Sequence, residues 1–226
     1  MEEQIYLSFN TCIEMLLDRN LTIRSGIRNY AYSQFNELYN HFNNYSGVFD
    51  IEGYDEKNNN RTIIRFIKDI NEKKKGTLMG IQNQKDSISV EVELRELTNF
   101  LRDTNQLSNN DRIIFVICYG EKLHKVHEKL EEDLLNTQFF HVNRLIFNIT
   151  KHEYVPKHEL LYKNEIEIIK KKLNINHIKQ LPIIQINDPI ARYFGMKYGD
   201  VCRIYRPSPT TKIHICYRAC VHLENE

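Results

Sequence analysis

Asp188-Pro189-Ile190-Ala191-Arg192-Tyr193-Phe194-Gly195 carries both ends of a short helix within itself. The Asp188 carboxylate can accept from the first free backbone N–H groups, and Pro189 suits a first helical position that needs no donor. Gly195 tolerates the positive φ that ends a helix. Close behind comes Tyr198-Gly199-Asp200, a turn leading into a strand from Val201 to Tyr205. A final strand alternates Ile213, Ile215, Tyr217, Ala219 and Val221 with His214, Cys216, Arg218, Cys220 and His222. Upstream, Glu165 to Leu173 predicts a helix with acids early and lysines late, both complementing its dipole. Strands and short helices in so few residues imply a small α+β domain.

Working outward toward the N-terminus, Ile5, Phe9, Cys12, Ile13, Leu16 and Leu17 recur at helical spacing, predicting an amphipathic helix over residues 2–18. Phe35, Leu38, Tyr39 and Phe42 predict a second. Val48–Ile51 and Thr62–Ile67 read as strands joined by a polar loop, and Thr77–Ile81 as a further strand. Val90, Leu94, Leu97 and Leu101 mark a helix, Arg112–Tyr119 a nearly all-apolar strand, and Leu123, Val126, Leu130 and Leu134 another helix. A strand at Leu145–Ile149 completes an α/β layer arrangement with some parallel pairing. The expected division is residues 1–145 and 146–226.

Hydrophobic residues at 41% and charged residues at 27% describe a globular chain and not a disordered one. From Ile149 onward, 13 basic residues face 8 acidic ones, whereas the remainder holds 18 basic and 22 acidic. Neither part has the concentrated basic surface of a protein that binds DNA chiefly by itself. The longest clean apolar run, Ile113 to Tyr119, falls far short of the ~20 residues that span a bilayer. Glu2 and Glu3 stand where a secretory signal is basic. Five scattered cysteines fit reduced, buried thiols in a cytosolic or nuclear protein.

Several constellations hint at chemistry. His214, Cys216, Cys220 and His222 are zinc-ligand types, but strand residues four apart stand about 13 Å from each other, too far for one tetrahedral site. Glu121, His124, His127, Glu128 and Glu131 contain Glu-x-x-His without the second copy a di-iron bundle needs, and read as a solvated face. Asp50, Glu72 and Lys74 fit a magnesium-nuclease pattern loosely, although Glu72-Lys73-Lys74 lies in a polar segment. His152 and His158 flank Pro156 and read as folding or docking residues. The sequence has no phosphate-binding glycine loop and no nucleophile elbow. No catalytic residue, metal or cofactor is expected, nor a membrane or small-molecule substrate.

Tyr154-Val155-Pro156-Lys157-His158-Glu159, Leu181-Pro182, the Asp188–Gly195 helix, Tyr198-Gly199-Asp200-Val201, Arg206-Pro207-Ser208 and Tyr217-Arg218 follow one another without an obvious gap. In that order and spacing they resemble the shared fifth subunit of eukaryotic RNA polymerases, a family that also has archaeal members. Phe147-Asn148-Ile149-Thr150-Lys151-His152 resembles the junction between the two domains of its eukaryotic members, and Met15-Leu16-Leu17-Asp18-Arg19-Asn20 the end of their first helix.

The resemblance implies a non-catalytic assembly subunit. Its C-terminal domain docks on the largest polymerase subunit and its core, and an endonuclease-like α/β N-terminal domain forms part of the lower jaw facing downstream DNA. Such a protein works in the nucleus if cellular, or in a cytoplasmic viral factory or virion if viral; divergence and composition suit a viral or protist polymerase. Carried over, the docking residues are Pro156, Lys157, His158, Asp188, Pro189, Arg192, Gly199, Asp200, Arg206, Pro207, Tyr217 and Arg218. Among them Arg192, Arg206 and Arg218 are the stronger docking candidates, since a guanidinium pairs bidentately with carboxylates; Asp188, Pro189 and Gly199, like Gly195, already have local structural reasons. The family usually has arginine at position 183, a basic residue at 198 and glycine at 212, where this chain has Ile183, Tyr198 and Lys212. Gly120-Glu121-Lys122-Leu123 stands where the eukaryotic jaw often has Thr-Pro-Ser-Ala, so no DNA contact is carried over there. The competing reading is a metal-dependent nuclease built on the first domain.

Overall fold

The computed structural model describes residues 2–23, 32–42, 46–67, 87–118 and 124–222. The chain separates into two compact units, Met1–Phe147 and Asn148–Glu226.

In the first unit, helices α1 (Glu2–Asp18), α2 (Tyr32–Phe42), α3 (Ser87–Thr104) and α4 (His124–Asp133) accompany a five-stranded sheet ordered β1-β2-β3-β4-β5. The strands are β1 (Thr22–Ile23), β2 (Ile51–Asp55), β3 (Asn60–Ile67), β4 (Arg112–Ile117) and β5 (Thr137–His141). The first three pair antiparallel, and β3, β4 and β5 pair parallel. Both faces are covered, which is why β4 is apolar and buried from Ile113 to Ile117. Ile113, Phe115 and Ile117 meet Leu94, Leu101 and Leu130 of α3 and α4. A separate group joins Phe9 of α1, Phe35 of α2, Phe49 and Phe66, with the Phe35 and Phe49 rings stacked at 4.6 Å.

Two expected strands differ from the structure. Ser46–Phe49 is a 3-10 turn that drives Phe49 into the aromatic core, and the strand begins only at Ile51. The last strand of this sheet is Thr137–His141, not Leu145–Ile149. The former pairs in parallel with β4, whereas Leu145 closes a 3-10 turn by donating its N–H to the Val142 carbonyl at 2.9 Å. The expected helix at α4 is present, but its charged side is not simply solvated. His127 stacks on Phe139 at 5.3 Å, and Glu131 accepts the Phe139 N–H at 2.6 Å. Thr77–Ile81, Leu123 and the Gly120–Leu123 loop lie outside the described residues.

The second unit is a four-stranded sheet of order β6-β8-β9-β7, built from β6 (Lys157–Leu160), β7 (Ile183–Gln185), β8 (Val201–Ser208) and β9 (Lys212–Val221). β8 pairs antiparallel with both β6 and β9, and β7 runs parallel to β9. Helix α5 (Lys163–Leu173) packs Ile169 against Val201 and Ala219 on one face. Helix α6 (Pro189–Phe194) packs Ala191 against Cys202, Ile204 and Cys220 on the other. The alternation of β9 therefore does not separate an inside from an outside: Ala219 and Cys220 are both buried because each sheet face carries a helix.

Candidate docking surface

The local chemistry around α6 matches its sequence. Asp188 Oδ1 accepts the Ile190 N–H at 2.8 Å, Pro189 occupies the first turn, and Gly195 closes the helix at φ 62°. Asn148, 4% exposed, accepts from the Thr150 N–H at 2.9 Å and donates to the Tyr193 hydroxyl at 2.9 Å, fastening the chain entering this unit to α6. Gly199 sits at φ 88° and donates to the Cys220 carbonyl at 3.0 Å, while Asp200 accepts the Lys197 N–H at 2.7 Å. Asp188, Pro189, Gly199 and Asp200 thus hold the fold locally. Arg192 is half-buried on α6.

The other sequence-derived residues divide between the two sheet faces, because neighbouring strand residues point oppositely. His158 pairs with Ile204, Arg206 with His214, and Cys202 with Arg218, so all six project from the face that carries α6. His158 Nδ1 donates to the Pro156 carbonyl at 2.7 Å. Burial lowers the His158 pKa below the usual histidine value. The Pro156 bond and Asp188 oppose that shift, and Arg206 and Arg218 reinforce it. Arg206 is exposed. Arg218 donates through Nη1 to the Ile183 carbonyl at 3.2 Å, which gives it a part in holding β7.

Lys157, Pro207 and Tyr217 project from the opposite face. Lys157 Nζ lies 5.7 Å from the Tyr205 ring centroid. This face also holds a cluster absent from the sequence-derived set: Arg203 reaches Glu159 at 3.2 Å and Glu165 at 3.5 Å, and its Cζ lies 6.0 Å from the Tyr217 ring. The signal for it was the arginine set within the β8 apolar pattern, opposite an aromatic of β9.

The thiols of this unit are core atoms. Burial pushes Cys202 and Cys220 up to about 11, so the thiolate form that binds metal is disfavoured at neutral pH. His214 is exposed, and His222 stacks with Tyr198 at 6.2 Å. Among the described residues no group of three or more metal-ligand side chains converges. In the first unit, Asp50 is committed to Arg65, accepting from Nε at 2.9 Å and also from Nη2. Glu72 and Lys74, its partners in the nuclease pattern, lie outside the described residues.

The second unit is thus a small mixed sheet with a helix on each face and basic side chains along its β8–β9 hairpin. The profile of the family "RNA polymerase Rpb5, C-terminal domain" matches residues 147–220, nearly the whole second unit. Subunit Rpo5 of the DNA-directed RNA polymerase of Methanocaldococcus jannaschii is 47% identical over 73 residues, 32% of this chain and 92% of its own length. Subunit rpabc1 of DNA-directed RNA polymerases I, II and III of Dictyostelium discoideum is 43% identical over 91 residues, 40% of this chain and 46% of that protein. Subunit 5B of RNA polymerases IV and V of Arabidopsis thaliana is 37% identical over 84 residues, 37% of this chain and 38% of that protein. The match thus spans less than half the length of the two eukaryotic relatives. The chain belongs to the Rpb5 family of RNA polymerase subunits.

Proposed function

We propose that this chain is a non-catalytic structural subunit of a multisubunit DNA-directed RNA polymerase. Its second unit docks on the largest subunit, and its first unit contributes to the lower jaw near downstream DNA. The observation that carries this reading is the 73-residue match to 92% of the Methanocaldococcus subunit, beside the family match at residues 147–220. A match this nearly complete to a polymerase subunit supports assembly as the role of the second unit. In a eukaryotic cell the subunit works in the nucleus.

The chemistry of the second unit supports docking. Arg206 stands exposed beyond the end of β6, with its guanidinium free to pair with a carboxylate across an interface. Asp188, Gly199 and Asp200 serve the fold, and Arg218 divides its role between β7 and the surface. The nuclease reading loses its central carboxylate to the Asp50–Arg65 pair. The test is co-purification of tagged full-length chain with the polymerase, wild type beside Arg206→Ala. The variant should lose at least about tenfold in recovered large subunits, as for a desolvated interface arginine, with its Tm unchanged. Equal recovery would remove Arg206 from the interface.

A further inference from the structure

The β8–β9 hairpin runs past both of its neighbours. β6 pairs with β8 only up to Tyr205, and β7 pairs with β9 only from Ala219 onward. Among the described residues, each strand of the hairpin therefore has a stretch of one edge without a neighbouring strand. On β8, Val201 accepts from Leu161 on the β6 side, so the odd-numbered residues of β8 direct their backbone groups that way. The odd residue on its open stretch is Pro207, which has no N–H to offer, a common way to blunt a sheet edge.

The β9 edge is different. Ala219 donates its N–H to Pro182 on the β7 side, and Cys220 donates to Asp200 on the β8 side. By alternation, Ile213, Ile215 and Tyr217 direct their backbone groups toward the uncovered side. Ile213 is occupied locally, its N–H on the Thr211 carbonyl at 2.7 Å and its own carbonyl accepting from the Thr211 hydroxyl at 3.3 Å. Leu181-Pro182, leading into β7, run beside Tyr217 and Arg218, whereas at Ile215 no proline, charge or neighbouring strand among the described residues closes the edge. Beside it, Ile213 is 59% and Ile215 45% exposed on one sheet face. The other face presents Arg206, His214 and Arg218, and neither β8 nor β9 contains an acidic residue.

We propose that the open edge of β9 at Ile215 receives an extended segment of the polymerase's large subunit as an added strand. That segment carries apolar side chains over Ile213 and Ile215 and acidic side chains toward Arg206, His214 and Arg218. Main-chain hydrogen bonds supply the register, and the alternating side chains supply the specificity. The inference rests on the assembly reading above and adds to it the mode and the chemistry of the contact.

The experiment compares backbone amide exchange across residues 213–218 in the free full-length chain and in the polymerase purified through it. In the assembly, the Ile215 amide should slow by at least about tenfold, as for a newly formed strand hydrogen bond. An assembled chain whose Ile215 amide exchanges as in the free chain overturns the added strand and leaves the assembly reading standing. A chain that never enters the polymerase overturns both. As a second arm, Ile215→Pro removes the outward N–H, whereas Ile215→Ala keeps it. Ile215→Pro should lose assembly more severely than Ile215→Ala; equal recovery from the two folded variants contradicts the proposal. If Ile215→Pro does not fold, the exchange measurement decides.

Discussion

Arg203 of β8 and Glu159 of β6 face each other across the sheet, Nη1 to Oε2 at 3.2 Å, with the Tyr205 hydroxyl donating to the same carboxylate oxygen at 2.7 Å. That hydroxyl, with Arg203, holds the Glu159 pKa below the usual carboxylate range, and Tyr205, with Tyr217 and Glu159, raises that of Arg203. Glu159 therefore adds stability above the ordinary glutamate pKa, and this is lost as pH falls through its lowered value. The pair is partly solvated, so its contribution is modest. Arg203→Ala should cost about 1 kcal/mol, because it gives up two carboxylates and the Tyr217 ring together. Glu159→Gln, which still accepts from Tyr205, should cost less. Denaturant unfolding of both variants checks this order, and the reverse order contradicts it.

Lys212 stands at φ 62°, in the left-handed region, immediately after the three-residue Pro209–Thr211 loop of the β8–β9 hairpin. A lysine there bears steric strain that glycine escapes. Lys212→Gly should stabilise the chain by about 1 kcal/mol, read as a rise in Tm. A fall would mean that the lysine side chain contributes more than the backbone strain removes.

His158 titrates below the ordinary histidine value because it is partly buried and faces Arg206 and Arg218, against the opposing pull of Pro156 and Asp188. The folded chain then binds its proton less readily than the unfolded chain does. Stability from this residue is present above the ordinary pKa of about 6.5 and declines as pH falls through that value toward the folded one. His158→Gln should flatten the loss of Tm as pH falls from about 7.5 to about 5.5, the window around that value. A variant with an unchanged pH profile removes His158 as the cause.

Asp50 and Arg65 form an ion pair whose side chains are 23% and 10% exposed. Burial raises the Asp50 pKa, and Arg65 opposes the shift. Asp50→Asn leaves the Arg65 charge without its counterion and should destabilise the chain by about 3 kcal/mol, measured by denaturant unfolding. A fully stable variant would release Asp50 for some other duty.

What could be read from sequence depended on how local its cause was. Helix α6 was legible to the residue, since Asp188, Pro189 and Gly195 each act within their own turn. β4 was legible because an all-apolar run needs cover on both sides. β6 and β7 were not: Lys-His-Glu-Leu and Ile-Ile-Gln are too short for a pattern, and only long-range pairing makes them strands. Leu145 and the Phe139-Phe140 pair are equally apolar, and only parallel pairing to β4 separates turn from strand. For the docking surface, the period of two placed His214, Cys216, Arg218 and Cys220 on one face of β9. It could not show that α6 buries Cys220 while Arg206 and His214 stay in water. The open edge at Ile215 was out of reach altogether, because it depends on where the chain leading into β7 runs.

The most direct measurement is affinity purification of the tagged full-length chain from its native source, with quantitative mass spectrometry of what accompanies it. The account predicts the two largest RNA polymerase subunits in stoichiometric amount, retained through size-exclusion chromatography. A chain that elutes alone, with no polymerase subunit beside it, contradicts the account.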